Sequence, residues 1–434
     1  MAEGPLAGIK VLEVSQIIAG PFCGINLADL GADVVKLEPL GGEGGRALGQ
    51  FMPGESKFSI GLNRGKRGIT VDLQTERGQE LVHRLIPQFD VFVINARPSV
   101  PPRLRVDYET LRGFRPDLIY VENTGYGKAG PSAERSGSDI VAQGYSGLMA
   151  GDGKQDDFGG PELITATAPA DYTAGTAAAM GVCAALFHRQ RTGEGQYVST
   201  SLLAAGLALQ GILVSRVPPV DAMIRDPMME QVEAVRAAGG TYAELLAARG
   251  SLSQLLGSAF RLYYGGYDAS DGAIILGALT EKNRDQIRSV IGLDDDPTAA
   301  PDFNGLDPAN TTVVDETRER IRAIFRTRTV AQWTAALDAA GAPASGVNLP
   351  EEMSDDPQVI ATGLMLDLEH ELVGPVRMVG PMVQMSATPT GSPLASPPLD
   401  AHTDAVLSEF GIAADEIADL RASHVIGSPP GGAA

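Results

Sequence analysis

Residues 9–38 read IKVLEVSQIIAGPFCGINLADLGADVVKLE, and this stretch decides the fold. Residues 9–14 and 33–38 are short runs rich in β-forming residues, and residues 21–30 between them have the apolar spacing of a helix. Pro21 suits the first turn of that helix, because an N–H group at that position would have no partner within the helix. A strand, a helix and a second strand in this order predict a right-handed βαβ unit with two parallel strands.

The same alternation continues along the first half of the chain. Further strands are predicted at residues 69–73, 91–94 and 118–121, with a helix at 76–86. A helix predicted at 174–189 carries small residues on one face, which allows another backbone to approach closely. The pattern predicts a doubly wound α/β fold with this last helix near its centre.

Length and turn residues divide the chain further. Its 434 residues exceed the usual size of one domain, so two folding units are expected. We predict a large domain over residues 1–215, a small domain over 216–335, and a linker with a C-terminal part over 336–434. Pro218-Pro219 marks the first boundary, and the small domain is expected to be α+β, with a strand at 273–279.

The overall charge limits the classes of partner. The chain has 34 Lys and Arg residues against 54 Asp and Glu residues, which is a formal net charge of −20. Nucleic acid and anionic membranes would repel such a chain, so neither is expected as a partner. Residues 1–8 have neither a basic nor an apolar region, so no secretory signal is expected. The apolar run 202–214 is too short to span a bilayer, and Cys23 and Cys183 are too few for a disulfide framework. A cytoplasmic location is expected.

One section departs from this acidity. Residues 57–112 hold ten Lys and Arg residues against six Asp and Glu residues. The densest spots are residues 64–67 and 97–105, each beside the predicted end of a strand. Ligands of parallel sheets bind at such ends and arginine side chains suit phosphate, so one interpretation is a pocket for a small polyphosphate. The other interpretation is a solvated surface loop, and the charge pattern alone leaves both open.

Motifs for common cofactors do not fit. The glycine-rich run 41–45 follows the second predicted strand rather than the first and contains Glu43, which argues against a dinucleotide-binding fingerprint. The five histidines show no pair at a metal-binding spacing. Neither a metal site nor a nicotinamide cofactor is predicted.

Several segments resemble one known family. AGP at residues 19–21 and LGADVVKLE at 30–38 resemble the opening of the class III CoA-transferases, a family that also has an α-methylacyl-CoA racemase branch. Further similar segments follow in the family's order: NRGKRGIT at 63–70, NARP at 95–98, RTGEGQYV at 191–198 and HTD at 402–404. The chain is therefore identified as a member of this family, with matches along essentially its whole length.

The resemblance implies an architecture and a ligand. In the family, both chain ends build a large Rossmann-like CoA-binding domain, a small domain lies between them, and two chains interlock as a homodimer. The substrates are an acyl-CoA donor and a carboxylic acid acceptor, and no cofactor is bound permanently. By position, the residues implied to contact CoA are Ala19, Asn63, Arg64, Lys66, Asn95, Arg97 and Arg103.

One position departs from the family pattern. A phosphate-binding arginine is common directly after the residue equivalent to Glu38, and this chain has Pro39 there. We expect another basic residue to take over the phosphate contact, and Arg46 is the nearest candidate along the chain.

Asp171 is the candidate catalytic residue. Considered without the family, its place before a helix indicates an N-cap, a carboxylate that accepts free backbone N–H groups. The resemblance implies a second role, because the family's nucleophilic aspartate occupies this position. The two roles are compatible, since N–H donors would keep the carboxylate ionised for attack on a thioester. The implied reaction carries CoA through anhydrides and an aspartyl thioester, without ATP or a metal.

Two alternatives to a transferase follow from the same motifs. The racemase branch uses a histidine in a Gly-His-Asp step, and here that step reads Gly137-Ser138-Asp139. Serine cannot act as the required base near neutral pH, so racemization is disfavoured and Asp139 is expected to be structural. The other alternative is a CoA-binding protein without catalysis, and the presence of Asp171 together with the basic loops argues against it. The sequence does not name the donor or the acceptor acid.

Overall fold

The structure, a computed structural model, describes residues 3–250, 259–305 and 307–427. The chain divides into two units. The larger, here called the large unit, comprises Met1–Asp156, Pro161–Ser215 and Ser354–Ala434. The smaller, here called the small unit, comprises Asp157–Gly160 and Arg216–Met353. None of the described helices is both long and apolar enough to cross a membrane.

Parallel strands form the centre of the large unit. The strands of its N-terminal part are β1 (Lys10–Val14), β2 (Asp33–Glu38), β3 (Gln50–Met52), β4 (Glu55–Ser56), β5 (Lys66–Thr70), β6 (Val91–Ile94), β7 (Ile119–Thr124) and β8 (Tyr197–Ser201). Six of them form one sheet in the order β5-β2-β1-β6-β7-β8, and β3 pairs with β4. Every neighbouring pair in the six-stranded sheet is parallel, which confirms the predicted α/β fold with a parallel central sheet. The strand predicted at 69–73 lies earlier, because Lys66 and Arg67 pair with β2.

Helices connect these strands. They are α1 (Ala19–Asp29), α2 (Lys57–Asn63), α3 (Glu76–Leu85), α4 (Val100–Arg103), α5 (Tyr108–Arg112), α6 (Asp139–Ser146), α7 (Leu148–Asp152), α8 (Pro169–Thr192), α9 (Leu202–Leu209) and α10 (Gly211–Val214). The side chains of successive strand residues point to opposite faces of the sheet. On one face Leu12 and Val35 pack in a core with α3, and on the other Val11 and Val34 pack with α1 and α8. The sheet is therefore covered by helices on both faces.

The long helix α8 is the predicted small-residue helix. It has 24 residues and begins at Pro169, earlier than the predicted start at 174, because proline is well tolerated in the first turn. Ala174 and Ala178 are buried, as the small-residue face predicts. A Cβ atom at Gly175 would lie 2.6 Å from the backbone oxygen of Ala19, so glycine is required where α8 crosses the start of α1. This close crossing brings the first turns of the two helices together.

The small unit has its own core. Its helices are α11 (Pro218–Asp221), α12 (Arg225–Ala237), α13 (Tyr242–Arg249), α14 (Phe260–Tyr263), α15 (Glu281–Ile291), α16 (Thr311–Phe325) and α17 (Val330–Ala339). Its strands β9 (Tyr264–Asp268), β10 (Ala273–Gly277) and β11 (Ala344–Gly346) form an antiparallel sheet in the order β11-β10-β9. Trp333 and Phe325 pack against this sheet in one apolar cluster. Antiparallel strands with helices packed on them make this unit α+β.

The C-terminal part of the chain packs within the large unit. It contains α18 (Pro357–Ala361), the hairpin β12 (Met365–His370) and β13 (Gly374–Val379), α19 (Thr403–Glu409) and α20 (Ala414–Ala422). Val406 and Leu420 are buried in the same core as β1 and α3. The backbone N–H of His402 donates to the carbonyl of Gly68 at 3.0 Å, and the N–H of Gly65 donates to Leu394 at 2.8 Å. These contacts complete the edge of the sheet beside β5.

Candidate active site

A pocket of about 400 Å³ opens where the strand order of the large-unit sheet reverses, between β1 and β6. Ligands of doubly wound sheets bind at this point, because loops from neighbouring strands diverge there. The lining comes from the segments that follow β1, β6 and β7 and from the first turns of α1 and α8. It includes Gln16, Ile17, Ala19, Asn95, Arg97, Asn123, Ser138, Asp171 and Leu202.

Asp171 is the acidic residue that lines this pocket. It lies in the first turn of α8 and is 8% exposed. Within the described part of the chain, its carboxylate accepts no hydrogen bond. Burial, and to a lesser degree the negative charge of Asp139, raises the pKa of the Asp171 carboxyl from 3.8 to about 7. At neutral pH a substantial fraction is ionised, and that carboxylate is more basic than an exposed one.

The cap of α8 comes from another helix. Asp139, the first residue of α6, accepts the backbone N–H groups of Ala170 at 2.8 Å and Asp171 at 3.2 Å through one carboxylate oxygen. Its other oxygen accepts an amide N–H of Gln143. The N-cap position itself is Ala168, which has no capping side chain. Asp139 therefore has the structural role that the sequence predicts for it.

This arrangement corrects two expectations for Asp171. It was expected to cap its helix, and instead it follows the cap position and leaves the N–H groups to Asp139. It was also expected to be kept ionised by N–H donors, and the pKa of its carboxyl is raised instead. The reason is that the helix start lies against α6, and the sequence of α8 alone does not show this neighbour.

Of the residues implied to contact CoA, Ala19, Asn95 and Arg97 line the pocket. Arg97 is exposed and Arg103, at the end of α4, is exposed as well. Neither arginine forms an ion pair with any described residue, and the same holds for the exposed Arg105 nearby. Arg97 therefore presents an exposed guanidinium group to the pocket, and Arg103 and Arg105 are exposed on the segment that follows it in the chain.

The other three implied contacts lie inside the protein. The Lys66 ammonium donates to Glu13 at 3.0 Å, to the carbonyl of Pro21 at 2.9 Å and to the Asn63 side chain at 2.9 Å. Burial lowers the pKa of this ammonium to about 8. Arg64 forms a two-point ion pair with Asp29, with one contact at 2.7 Å. The structure does not bring these side chains into the pocket, and their contact with CoA stays a prediction.

Arg46 does not replace the arginine that the family pattern has at position 39. Its guanidinium is 3% exposed and donates to both oxygens of Glu38, at 2.7 and 2.8 Å. It also donates to Glu55 at 3.1 Å and to the carbonyl of Gly54 at 2.9 Å. The fifth N–H donates to the carbonyl of Pro397 at 3.1 Å, so no donor is left for a phosphate and the expectation for Arg46 is wrong. Charge is visible in the sequence, but the burial of that charge is not.

Some pocket residues lie outside the sequence motifs described above. Asn123, at the end of β7, is 3% exposed, and its buried amide nitrogen has no hydrogen-bond partner among the described residues. Ile17 and Gln16 follow β1 and enter the pocket because β1 lies beside β6. The βαβ pattern predicts that loops at this sheet edge are functional, but it does not single out these side chains.

A buried carboxylate with a raised pKa shares the pocket at the switch point of a doubly wound sheet with the exposed Arg97, and this combination indicates a class of protein. Such a site suits an enzyme that acts on a ligand carrying phosphates. Comparison with known proteins supports this class. The model of CoA-transferase family III matches residues 6–403, and the chain belongs to this family.

The similarity to named relatives extends over nearly the whole chain. The succinate–glutarate CoA-transferase of Agrobacterium fabrum is 33% identical over 424 residues, covering 94% of this chain and 96% of the relative. The human succinyl-CoA:glutarate CoA-transferase is 30% identical over 410 residues, covering 93% and 86%. A CaiB/BaiF family protein from Brucella suis has a solved structure that superposes with a TM-score of 0.73 at 28% identity, covering 94% of this chain and 100% of that one. The family resemblance is thereby confirmed, and the protein is a family III CoA-transferase that acts on acyl-CoA thioesters.

The alternatives are not favoured. Ser138 lines the pocket at the position of the racemase histidine, and the named relatives above are transferases. Membership in the family likewise speaks for an enzyme rather than a CoA-binding protein without catalysis. No group of His, Cys, Asp and Glu side chains suited to a metal ion occurs among residues 3–250, 259–305 and 307–427.

Proposed function

We propose that Asp171 is the nucleophile and that it carries CoA as an aspartyl thioester. One carboxylate oxygen attacks the donor thioester carbonyl, the carbon–sulfur bond breaks, and a mixed anhydride and CoA thiolate result. The thiolate then attacks the aspartyl carbonyl of the anhydride. This step releases the donor as a free carboxylate and leaves CoA on Asp171.

The second half of the reaction reverses these steps with the acceptor. The acceptor carboxylate attacks the aspartyl thioester, which expels CoA thiolate and forms a second anhydride. The thiolate attacks the acceptor carbonyl, so acyl-CoA leaves and the Asp171 carboxylate is restored. No proton is gained or lost over the cycle, and the thioester free energy passes from donor to acceptor without ATP.

One observation carries the proposal: the Asp171 carboxylate lines the switch-point pocket without a hydrogen-bond partner in the described chain. A nucleophile held by several donors would lose them on attack. Asp171 has none to lose, because Asp139 takes the N–H groups of the helix start. A pKa of about 7 also leaves enough carboxylate for attack at neutral pH while making it a stronger nucleophile.

Each tetrahedral intermediate develops an oxyanion that needs hydrogen-bond donors. We assign one such donor to the side-chain amide of Asn123. It lines the pocket with Asp171 and is nearly buried, and its nitrogen has no hydrogen-bond partner in the part of the chain that the structure describes. A buried amide without a partner costs free energy in the resting protein, and a substrate oxygen would recover it.

The CoA phosphates are proposed to bind along three exposed arginines: Arg97, which lines the pocket, and Arg103 and Arg105, which follow it in the chain. The planar guanidinium group matches phosphate geometry, and none of the three is used in an ion pair within the described chain. Asn63, Arg64 and Lys66 then support the site from within the fold. Lys66 does so by holding the carbonyl of Pro21, in the first turn of α1.

The family pattern extends the proposal to assembly and location. We propose that residues 1–215 and 336–434 act together as the CoA-binding domain, with 216–335 as the small domain, in an interlocked cytoplasmic homodimer without a permanent cofactor. Light scattering after size-exclusion chromatography tests the dimer, and a monomer at micromolar concentration would contradict it.

The first substrates to examine are dicarboxylic acids. Two of the relatives described above are named for succinate or succinyl-CoA together with glutarate. We propose succinyl-CoA as donor and a dicarboxylic acid such as glutarate as acceptor. A panel of acyl-CoA donors against carboxylate acceptors, followed by chromatography of the CoA thioesters, would rank this pair against monocarboxylic alternatives.

The decisive experiment for Asp171 is trapping. The protein is incubated with an acyl-CoA donor and then with hydroxylamine, which converts an activated aspartyl group to a hydroxamate. Mass spectrometry is expected to find the modification on the peptide containing Asp171 and not in the Asp171→Asn variant. An unmodified peptide in a protein that transfers CoA, or transfer by Asp171→Asn near the wild-type rate, would overturn the proposal.

A further inference from the structure

A strained backbone position lies in the wall of the pocket. Ile17 has a φ of +64°, in the left-handed region. This region is unfavourable for a β-branched side chain, which crowds the backbone there. The other described non-glycine residues with positive φ are Arg105, Asp400 and His424, none of which is β-branched. Such strain persists only where the surroundings hold it in place, and it is concentrated at functional sites.

The peptide group before Ile17 is held on both sides. The carbonyl of Gln16 accepts a hydrogen bond from the Asn95 side-chain amide at 2.8 Å. The N–H of Ile17 donates to the carboxylate of Glu43 at 3.1 Å, and Glu43 is 5% exposed. The N–H of Gln16 donates to the Asn95 side-chain oxygen at 2.8 Å, so Asn95 makes two bonds to the same backbone residue.

The segment that follows Ile17 is held as well. A Cβ atom at Gly20, in the first turn of α1, would lie 2.4 Å from the Cβ of Ser15, so α1 begins close against the end of β1. The chain between a held peptide and a held helix start has little freedom. These restraints together keep Ile17 in the left-handed conformation.

The strained residue connects two parts of the site. Ile17 packs against an apolar cluster of Ile18, Ile25 and Leu62, against which Ala168 and Tyr172 also pack. Ala168 and Tyr172 flank the first turn of α8 that carries Asp171. Asn95, which bonds the backbone of the residue before Ile17, immediately follows β6 and precedes the exposed Arg97 in the chain. The side-chain amide of Asn95 is therefore used on the backbone of Gln16 rather than left free for a ligand.

We propose that Ile17 is the residue that determines which acyl groups the pocket accepts, and that Asn95 is a positioning residue that holds Ile17 in place. This inference rests on the proposed reaction at Asp171. In the left-handed conformation the Ile17 side chain forms the apolar wall that the acyl chain meets. Without the two Asn95 bonds, the Gln16–Ile17 peptide is free to rotate and the wall is displaced. Asn95 then acts on acyl preference rather than on CoA affinity.

The test measures acyl preference and CoA affinity separately. Acetyl-CoA, succinyl-CoA and benzoyl-CoA serve as donors, and calorimetry gives the Kd of free CoA. Ile17→Gly removes both the wall and the backbone strain, while Ile17→Val retains a β-branched wall as the matched control. We expect Ile17→Gly to change the ratio of kcat/KM between benzoyl-CoA and acetyl-CoA by about 10-fold or more. Ile17→Val is expected to change it less.

Asn95→Ala distinguishes the two roles of Asn95. If Asn95 is a positioning residue, this variant shifts the donor ratio in the same direction as Ile17→Gly and leaves the Kd of CoA nearly unchanged. The double variant then shows no further shift, because both changes remove the same wall. An increase of about 10-fold in the Kd of CoA at an unchanged donor ratio would instead make Asn95 a direct CoA contact and overturn the inference.

Two controls keep the result interpretable. A cooperative thermal unfolding transition verifies that each variant is folded. Should Asn95→Ala not fold, Asn95→Asp retains the oxygen that accepts the Gln16 N–H and loses the donor to the Gln16 carbonyl. Failure of the mechanism at Asp171 appears separately, as transfer by Asp171→Asn, whereas a donor ratio unchanged in Ile17→Gly refutes only the role of Ile17.

Discussion

The carboxylate of Asp139 accepts the backbone N–H of Asp171 at an N···O distance of 3.2 Å. The same oxygen accepts the N–H of Ala170 at 2.8 Å. One aspartate thus takes the hydrogen-bond donors at the start of α8, and the other is left with burial and a negative neighbour. The consequence is the raised pKa of the Asp171 carboxyl, which suits a carboxylate that must attack a thioester.

The charge of Asp139 is expected to contribute to the pH dependence of the reaction, in addition to the larger effect of burial. Asp139→Asn keeps an oxygen that can accept the two N–H groups and removes the negative charge. The pKa of Asp171 then falls, and the acidic limb of the kcat/KM profile shifts to lower pH, by about one unit. Asp139→Ala is the control, because it also removes the cap and lowers the free energy of unfolding by about 1 kcal/mol. An acidic limb at the same pH in Asp139→Asn and wild type would contradict the coupling.

Asp171 is also expected to affect stability in a pH-dependent way. Its pKa is about 7 when folded and 3.8 ordinarily, so the folded state favours the protonated form. The resulting stabilisation is fully present below pH 3.8 and is lost as the pH rises to about 7. Asp171→Asn does not titrate, so its free energy of unfolding relative to wild type should rise by roughly 2–3 kcal/mol between pH 5 and pH 8. Urea unfolding at both pH values measures this, and a constant difference would show that the pKa is not raised.

Substitution of an exposed arginine should weaken CoA binding, whereas substitution of a buried arginine should lower the stability of the fold. Arg97→Gln and Arg103→Gln are expected to raise the Kd of CoA, each by up to about 10-fold, with the loss smaller at high salt. Neither should change the unfolding midpoint, because neither arginine has an ion-pair partner in the described chain.

Arg46→Gln is the matched buried variant. It leaves Glu38 and Glu55 buried beside a neutral side chain, so the free energy of unfolding should fall by about 3–5 kcal/mol. The Kd of CoA for the folded fraction should stay close to wild type. A large loss of CoA affinity in a stable Arg46→Gln protein would restore Arg46 as a phosphate ligand.

The crossing of α1 and α8 is expected to tolerate no larger residue at Gly175. Gly175→Ala places a Cβ atom 2.6 Å from the Ala19 backbone oxygen, so the helices must separate at a cost of about 1–3 kcal/mol. Turnover should fall as well, because both helices begin at the pocket. Gly61→Ala, in α2, meets nothing within 4 Å and should leave stability unchanged or raised by up to about 1 kcal/mol. Thermal unfolding and steady-state rates of both variants check this, and equal effects would refute the close crossing.

The fold could be predicted to a large extent because its signals are local. The alternation in residues 9–38 predicts two parallel strands and a helix, and the structure has β1, α1 and β2 there. The small residues of α8 likewise predict a close helix crossing. Such patterns depend on residues a few positions apart, and secondary structure forms over the same range.

The site could be predicted only in part. Asp171, Arg97 and Asn95 were identified from motifs, and the structure brings all three to one pocket. Arg46 and Lys66 look equally available in the sequence, yet both are enclosed by carboxylates and carbonyls. An arginine in an exposed basic loop and an arginine in a buried ion pair can have similar neighbours along the chain. Only tertiary packing shows which of the two is buried.

The sequence by itself determined the parallel α/β architecture, the family and the residues with the right chemistry. Tertiary structure decided how those residues behave. Asp139 and Asp171 are far apart in the chain. The contact between α6 and α8 makes Asp139 the helix cap, and burial together with the charge of Asp139 raises the pKa of the Asp171 carboxyl. The physical reason is that burial and electrostatic coupling depend on distance in space, which the order of residues along the chain does not specify.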